Sequence, residues 1–142
     1  SSNLKLACAL LTQQQIQPLF EIVNGTDMPR FLVQNIAQAQ EMLEAVQHPA
    51  LKIQYDCYHM AMMGEDVLYS LQENIQDIGH IQFADCPARH EPDTGEIAFG
   101  PIFNWLRQST YSGYIAAEYK PKTDSDHSFD WKDKYFVKHR PS

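Results

Sequence analysis

The feature of this 142-residue sequence that most restricts its fold is a strict alternation of helical and strand-like segments. Apolar residues recur at helical spacing around positions 4–14, 31–47, 64–77 and 102–110. Short apolar, strand-like runs follow these segments at about 17–24, 51–56, 79–84 and 114–118. The resulting α-β-α-β-α-β-α-β order, with short connections, predicts an α/β fold in which helices cover a sheet of parallel strands.

Local signals set the expected limits of these segments. Asn3 is placed to cap the first helix, and His48-Pro49 is expected to end the second. The third helix is predicted to follow a methionine-rich loop and to stop before Gly79. The polar segment 123–142 does not settle whether a last helix follows. Its weakly amphipathic patch comprises Phe129, Trp131, Tyr135 and Phe136.

Composition and charge exclude several classes of protein. With 44% hydrophobic and 20% charged residues, the chain has the composition of a globular domain. A net charge of -7 without a cluster of basic residues argues against nucleic acid or an anionic membrane as a partner. No apolar stretch approaches the roughly 20 residues of a membrane span, and the first residues lack a signal peptide's features. The 3 widely spaced cysteines, with no CxxC pair, predict reduced thiols and a cytoplasmic location.

Each predicted strand carries an oxygen-bearing side chain at or near its carboxyl end. These residues are Glu21, Asp56, Gln82 and Glu118. Ligands of parallel α/β proteins bind outside the carboxyl ends of the strands, so the four side chains are expected to converge. A single acid at a strand end is more often a helix cap or a surface charge, and only the recurrence favours a site. An all-oxygen set suits Mg²⁺ or Mn²⁺ better than zinc.

Several blocks of the sequence resemble a known family. The segments LKIQYDCYH, IGHIQFAD, CPARHEPDTGEI and AAEYKPK are similar to the hydroxypyruvate isomerase family. That family is part of the xylose-isomerase-like TIM-barrel superfamily, which also contains ketose 3-epimerases. The resemblance extends from about Asn3 to Lys122 and covers the family's barrel from its fourth helix to its eighth strand. It implies that residues 1–142 form the C-terminal half of such a barrel.

The resemblance also implies which residues hold a metal. The family's two metal-binding glutamates, which act as an acid/base pair on the substrate, match Glu21 and Glu118. Its two other ligands match Asp56 and Gln82, so the four residues together would hold Mg²⁺ or Mn²⁺.

Three further positions match residues that contact the substrate in the family. His59 stands three residues after the metal-binding aspartate, and Arg89 lies in the loop after the third predicted strand. Asp27, in NGTDMP, stands where relatives carry an acidic residue near the substrate.

The implied reaction interconverts hydroxypyruvate and tartronate semialdehyde through a metal-stabilised cis-enediol, a step of carbohydrate and glyoxylate metabolism. Two alternatives within the superfamily are a ketose 3-epimerase and a 2-oxo-tetronate isomerase. The epimerases place a histidine where Gln82 stands, and the TGE segment with Glu96 fits the isomerase branch. A third alternative is a catalytically silent half-barrel that pairs with another chain.

Four strands alone would leave two unpaired sheet edges and an exposed inner face. The sequence therefore predicts a partner for this sheet in addition to a small-molecule substrate. The partner is either a second copy of the chain or a missing N-terminal half-barrel.

Overall fold

The computed structural model describes residues 2–136 and contains a parallel sheet covered by helices, which confirms the predicted α/β class. The strands β1 to β4 lie in chain order, and they are Leu19–Glu21, Lys52–Asp56, Ile78–Phe83 and Tyr114–Ala117. The helices α1 to α6 are Ser2–Gln13, Ile36–Val46, Cys57–Met62, Val67–Asn74, Phe99–Gln108 and Trp131–Phe136. Two 3₁₀ turns span Ile75–Asp77 and His127–Phe129.

The face of the sheet that meets the helices is apolar. Ile53 and Tyr55 of β2, and Ile81 and Phe83 of β3, are buried there together with helix residues such as Leu71. Intervening residues of the same strands point to the other face, because side chains alternate along a strand. Burial of this apolar layer stabilises the fold by about 25 cal/mol per Å² of apolar area removed from water.

The opposite face of the sheet is more polar and more accessible. Gln54 and Gln82 are partly buried on it, and Leu19 and Tyr114 on the outer strands are 36% and 84% exposed. Within residues 2–136, β1 pairs only with β2 and β4 only with β3. Each outer strand therefore keeps one edge without a hydrogen-bonded neighbour in the part of the chain that is described.

The predicted start of the second helix at residue 31 is wrong. Helix α2 begins at Ile36, because the side chain of Asn35 caps it by accepting a 2.9 Å hydrogen bond from the backbone N–H of Gln38. The preceding segment is held in another conformation, in which the carbonyl of Val33 accepts from the N–H of Val23. The helix ends at Val46, before His48-Pro49, as predicted.

Other boundaries also differ from the prediction. Asn3 lies inside α1 and does not cap it. The methionine-rich loop contains an unpredicted helix, α3, capped by the side chain of Asp56. The third predicted helix is shorter, since α4 starts after the cap Asp66 and its last turn tightens to a 3₁₀ turn. Helix α5 starts at Phe99 rather than residue 102, because proline is tolerated in a first helical turn and Pro101 stands there.

The tail contains a helix that packs on the core through aromatic rings. The ring of Trp131 lies edge-on to Phe83 at 5.2 Å, and its indole N–H donates to the hydroxyl of Tyr119 at 3.1 Å. Tyr135 meets Phe103 at a ring separation of 5.2 Å. Trp131 and Tyr135 of the aromatic patch therefore pack against the core. Residues 137–142 of the predicted tail lie outside the described residues.

None of the helices between residues 2 and 136 is long and apolar enough to cross a membrane.

The aromatic contacts of α6 predict a clear stability difference between two tail substitutions. Trp131→Ala should lower the free energy of unfolding by roughly 2 to 4 kcal/mol, because it removes ring contacts with the core. Phe129→Ala is the matched control, since Phe129 is 49% exposed, and its effect should stay within about 0.5 kcal/mol. Urea unfolding followed by circular dichroism measures both. Equal losses for the two variants would contradict this packing.

Candidate functional site

The strands bring the predicted oxygen ligands together at the carboxyl-terminal edge of the sheet, where the four strands end. Glu21 and Asp56 are the last residues of β1 and β2, and Gln82 is the last but one of β3. Glu118 follows β4 directly, and its backbone N–H donates to the carbonyl of Phe83 at 2.9 Å. Parallel pairing places all these ends on the same side of the sheet.

Asp56 is the most deeply buried acid of this edge, with no exposed surface. One carboxylate oxygen accepts a 2.9 Å hydrogen bond from the backbone N–H of Tyr58, and the other lies 3.5 Å from Nη2 of Arg89. Burial raises the pKa of Asp56 to about 7, although this hydrogen bond and the Arg89 charge oppose the rise. The carboxyl group therefore needs more positive charge nearby to be fully ionised at neutral pH.

Arg89 connects two of the acids. Its Nη2 donates to Oε2 of Glu118 at 2.8 Å and lies 3.5 Å from Oδ2 of Asp56. Its guanidinium carbon is 4.9 Å from the ring centre of Tyr58, in a cation–π arrangement. The guanidinium thus brings Glu118 into the same charged cluster as Asp56.

Glu21 interacts with the charges of Glu118 and Arg89 and with the side chain of Gln54. Burial raises the pKa of Glu21, the negative charge of Glu118 raises it further, and a hydrogen bond from Gln54 and the charge of Arg89 oppose the rise. Gln54 also donates from Nε2 to Oε1 of Gln82. One amide side chain therefore connects Glu21 with Gln82.

His59 completes the inner part of the site. It is buried, and its Nε2 lies 3.9 Å from Oε1 of Glu21 and 3.8 Å from Oδ2 of Asp56. Each of these three residues offers one atom within 4.8 Å of the others, a separation at which they could hold a metal ion. Burial, and then the charge of Arg89, lower the pKa of His59 to about 4, so the imidazole is neutral at pH 7.

These residues fit a divalent cation. The buried carboxyl of Asp56 would be held ionised by one, and carboxylate oxygens are ligands that Mg²⁺ and Mn²⁺ prefer. The structure brings Glu21, Asp56 and His59 into direct proximity. It joins Glu118 to them through Arg89 and Gln82 through Gln54.

Asp27 lies beside this cluster and is held by two neighbours. Its Oδ2 accepts hydrogen bonds from Nδ2 of Asn24 at 3.0 Å and from the hydroxyl of Tyr58 at 2.7 Å. These two bonds lower the pKa of Asp27. The predicted contact of Asp27 with a substrate stays a prediction.

The loop between β3 and α5 is built around Asp85, a buried residue that sequence reasoning missed. Its carboxylate accepts from the backbone N–H groups of Cys86, Thr94, Gly95 and Ile97. A side chain at position 95 would overlap the carbonyl oxygen of Cys86, so this approach requires glycine.

Backbone contacts hold Arg89 itself in place. Arg89 has a φ of 59°, in the left-handed region. Its N–H donates to the carbonyl of Asp85 at 2.9 Å, and its carbonyl accepts from the N–H of Lys120 at 2.9 Å. The guanidinium therefore enters the site from a fixed position.

Two other supporting residues that the sequence reasoning missed had usable signals. Asn24 begins the segment NGTD, a pattern typical of an Asx turn. Gln54 stands two residues before Asp56, hence on the same face of β2.

Comparison with known proteins relates this chain to a family of TIM barrels and to sugar-acid isomerases. A family model described as "Xylose isomerase-like TIM barrel" matches residues 1–135. Hydroxypyruvate isomerase of Escherichia coli (strain K12) is 38% identical over 133 residues, which cover 94% of this chain and 52% of that protein. A 2-oxo-tetronate isomerase of Cupriavidus necator is 35% identical over 133 residues, 94% of this chain and 51% of that protein. The chain spans about half the length of the curated relatives it matches.

Solved structures agree on the fold. A Brucella melitensis protein named "AP endonuclease, family 2" superposes with a TM-score of 0.89 at 28% identity, over 94% of this chain and 52% of that one. An Escherichia coli 3-keto-D-glucoside 4-epimerase superposes with a TM-score of 0.80 at 21% identity, over 94% of this chain and 51% of that one. The sheet of this chain therefore corresponds to about half of each of these larger folds.

The buried carboxyl of Asp56 predicts a pH-dependent effect of its removal. Because burial raises the folded-state pKa of Asp56 from 3.8 to about 7, the folded state binds this proton more tightly than the unfolded state. The stability that Asp56 contributes is complete below pH ~4 and is lost as the pH rises to about 7. As the pH rises from about 4 to about 7, the free energy of unfolding of Asp56→Asn should therefore increase relative to that of wild type by on the order of 1 to 3 kcal/mol.

Urea unfolding in EDTA across this pH range measures the difference between Asp56→Asn and wild type. His59 has a lowered pKa and acts in the opposite direction, and because its Nε2 lies 3.8 Å from Asp56, the difference also contains the coupling between the two groups. Glu44→Gln, at an exposed position of α2, is the control and should give a flat difference. A flat difference for Asp56→Asn as well would show that its carboxyl titrates normally.

Proposed function

Because the chain belongs to the xylose isomerase-like TIM barrel family, we propose that it forms the metal-binding half of a hydroxypyruvate isomerase. The reaction interconverts hydroxypyruvate and tartronate semialdehyde. The observation that carries this proposal is the cluster of Glu21, Asp56 and His59 at the carboxyl edge of the sheet, with Arg89 reaching the same point. The names of relatives at 38% and 35% identity support an isomerase acting on a short sugar acid.

The proposed metal ligands are Glu21, Asp56, Gln82 and Glu118, and the proposed ion is Mg²⁺ or Mn²⁺. When bound, such an ion would polarise the substrate carbonyl and stabilise the negative charge that develops there. The raised pKa values of Glu21 and Asp56 support this assignment, because a cation would keep the partly exposed Glu21 and the buried Asp56 ionised.

The chain's own acid/base pair moves one proton between neighbouring carbons. One carboxylate of the pair Glu21 and Glu118 takes a proton from the hydroxymethyl carbon of hydroxypyruvate, and the freed electron pair forms the carbon–carbon double bond of an enediolate. The other glutamate returns a proton to the former carbonyl carbon, and the proton of the terminal hydroxyl passes to the former carbonyl oxygen, so that the terminal carbon becomes the aldehyde. A proton then passes from the first glutamate to the second and restores the pair. The two environments differ, since Glu21 is more buried and Glu118 is paired with Arg89. Different environments suit opposite roles in proton transfer.

The remaining residues bind and orient the substrate. Arg89 presents a planar set of N–H donors of which Nη2 contacts Glu118 and Asp56, and its other donors suit a substrate carboxylate. His59 is neutral and buried, and it donates a hydrogen bond to a substrate oxygen. Asp27 stands at the rim beside them.

The runner-up activities are those of a 2-oxo-tetronate isomerase and a ketose 3-epimerase, which would use the same residues on a longer substrate. Gln82 favours the isomerases, because the family resemblance implies a histidine at this position in the epimerases. The name of the Brucella protein raises a nucleic-acid substrate, but a net charge of -7 disfavours a polyanion. A catalytically silent half-barrel is the alternative outside enzymes.

We also propose that further strands complete the sheet and that the protein is cytoplasmic. Among residues 2–136, β1 and β4 each have one edge without a paired strand, and this supports completion of the substrate pocket by further strands, as does the exposed Tyr114. These strands come from an N-terminal half-barrel or from a second copy of the chain. The buried, unpaired Cys8, Cys57 and Cys86 support the predicted cytoplasmic location.

Turnover of hydroxypyruvate by matched glutamate variants tests this function. Glu118→Gln should lower kcat by about 10² to 10⁴-fold, because it removes one member of the acid/base pair. Glu44→Gln changes the same group on an exposed face of α2 and should leave kcat unchanged. Tartronate semialdehyde formation is followed with the chain alone and with the chain co-expressed with the N-terminal half of the Escherichia coli relative. Absence of turnover in both preparations, with Mn²⁺ present, would rule out the proposed function.

Metal binding gives a second readout that does not depend on turnover. Mn²⁺ should raise the thermal midpoint of the wild-type chain, since a ligand that binds only the folded state stabilises it. Asp56→Asn should lose most of this rise, and Glu44→Gln should keep it. A thermal midpoint that Mn²⁺ leaves unchanged in all three proteins would favour the silent half-barrel.

A further inference from the structure

We propose that Asn24 is a positioning residue that fixes His59 as the tautomer with its proton on Nε2, so that His59 acts as a hydrogen-bond donor and not as a metal ligand. The tautomer follows from the geometry alone. The use of that donor for a substrate oxygen rests on the proposed function.

The orientation of the Asn24 side chain is determined by three contacts. Its Oδ1 accepts hydrogen bonds from the backbone N–H groups of Thr26 at 3.1 Å and Asp27 at 2.8 Å. Its Nδ2 donates to Oδ2 of Asp27 at 3.0 Å. A flipped amide would point its NH₂ group at two N–H donors and its oxygen at a carboxylate, so this orientation alone satisfies all three. Asn24 is also fully buried, which leaves no water to replace these partners.

With this orientation, two donors point at Nδ1 of His59. Nδ2 of Asn24 lies 2.7 Å from Nδ1, and the backbone N–H of Asn24 lies 3.3 Å from the same atom. A backbone N–H can only donate, and the amide NH₂ group can only donate. Nδ1 must therefore accept with its lone pair, and a neutral imidazole that accepts at Nδ1 carries its proton on Nε2.

The protonated Nε2 faces the acid cluster. It lies 3.9 Å from Glu21 and 3.8 Å from Asp56, which is beyond hydrogen-bond distance to either carboxylate. Nε2 has no lone pair left for a cation, so the oxygens of Glu21 and Asp56 remain as ligands in this trio. The N–H group of this buried side chain is instead a donor beside the two carboxylates, where a substrate oxygen would take its hydrogen bond.

The same network gives Asp27 a supporting role. Asp27 accepts from both Asn24 and the hydroxyl of Tyr58, and this anchors the amide that holds His59. A chain of hydrogen bonds thus runs from Tyr58 through Asp27 and Asn24 to the imidazole. Each hydrogen bond in this chain has a defined donor and acceptor. The arrangement can therefore be tested by exchanging the side chains of Asn24 and Asp27.

A charge-conserving swap reverses the polarity at Nδ1. In the double variant Asn24→Asp with Asp27→Asn, the group facing Nδ1 becomes a carboxylate oxygen, while the net charge and the contact between positions 24 and 27 are kept. The matched control is Asn35→Asp with Asp66→Asn, which makes the same exchange at two helix caps away from the site. The measurements are ¹⁵N NMR of selectively labelled histidine at neutral pH, and kcat and KM for hydroxypyruvate.

Wild type and the control pair should show His59 with an unprotonated Nδ1 and a protonated Nε2. The swapped pair should shift the proton toward Nδ1, with kcat lowered by about 10 to 100-fold, the usual loss when a residue that orients a site group is changed. Mn²⁺ binding, measured by the thermal midpoint, should be nearly unchanged because the oxygen ligands remain.

Several outcomes separate this inference from the proposed function. A wild-type spectrum with the proton on Nδ1 overturns the tautomer assignment without any variant. A spectrum and a kcat that the swap leaves unchanged overturn the positioning role of Asn24. A wild-type spectrum with the proton on Nε2, from a protein that turns over no substrate, supports the tautomer and refutes the proposed function.

Discussion

The carboxyl group of Asp56, removed from water at the end of a central strand, is the constraint around which the rest of the site is arranged. A buried charge is costly unless hydrogen bonds and opposite charge compensate it. The backbone N–H of Tyr58 and the guanidinium of Arg89 supply part of this compensation. Because the same carboxylate caps α3, the start of that helix and the position of His59 on it are fixed by the same group. A change at Asp56 would therefore affect both the start of α3 and the position of His59 in the site.

The sheet and its polar edge could be predicted because they depend on local patterns. Apolar runs of strand length and intervening helical periodicity give the order of elements, and parallel pairing gives the common edge. These patterns predict Glu21 and Asp56 at that edge, and the structure has them there. Helix α3 could not be predicted, because a helix of six residues has little intrinsic stability and depends on the cap and on its tertiary contacts.

The hydrogen-bond partners within the site could not be derived from the sequence. Asp85 and Asp93 are the same residue type in the same loop, yet Asp85 is buried among backbone N–H groups, whereas Asp93 lies at the surface and pairs with Lys134. Sequence spacing does not distinguish them, since the difference arises from the path of the loop. The same holds for Arg89, whose ion pairs with Asp56 and Glu118 join residues about 30 positions apart. The resemblance to a family pointed to Arg89 as a site residue, but the pairs themselves required the structure.

The close approach of the chain to itself at Gly95 has a practical consequence for protein engineering. The turn at Gly95 seats two N–H groups on Asp85, which lies four residues before Arg89. Any larger residue would push this turn off Cys86 and disturb the hydrogen bonds to Asp85, whose carbonyl also accepts from the backbone N–H of Arg89. Mutant libraries that aim to change substrate preference should therefore keep glycine at this position and place their diversity at outward-facing positions of the loop.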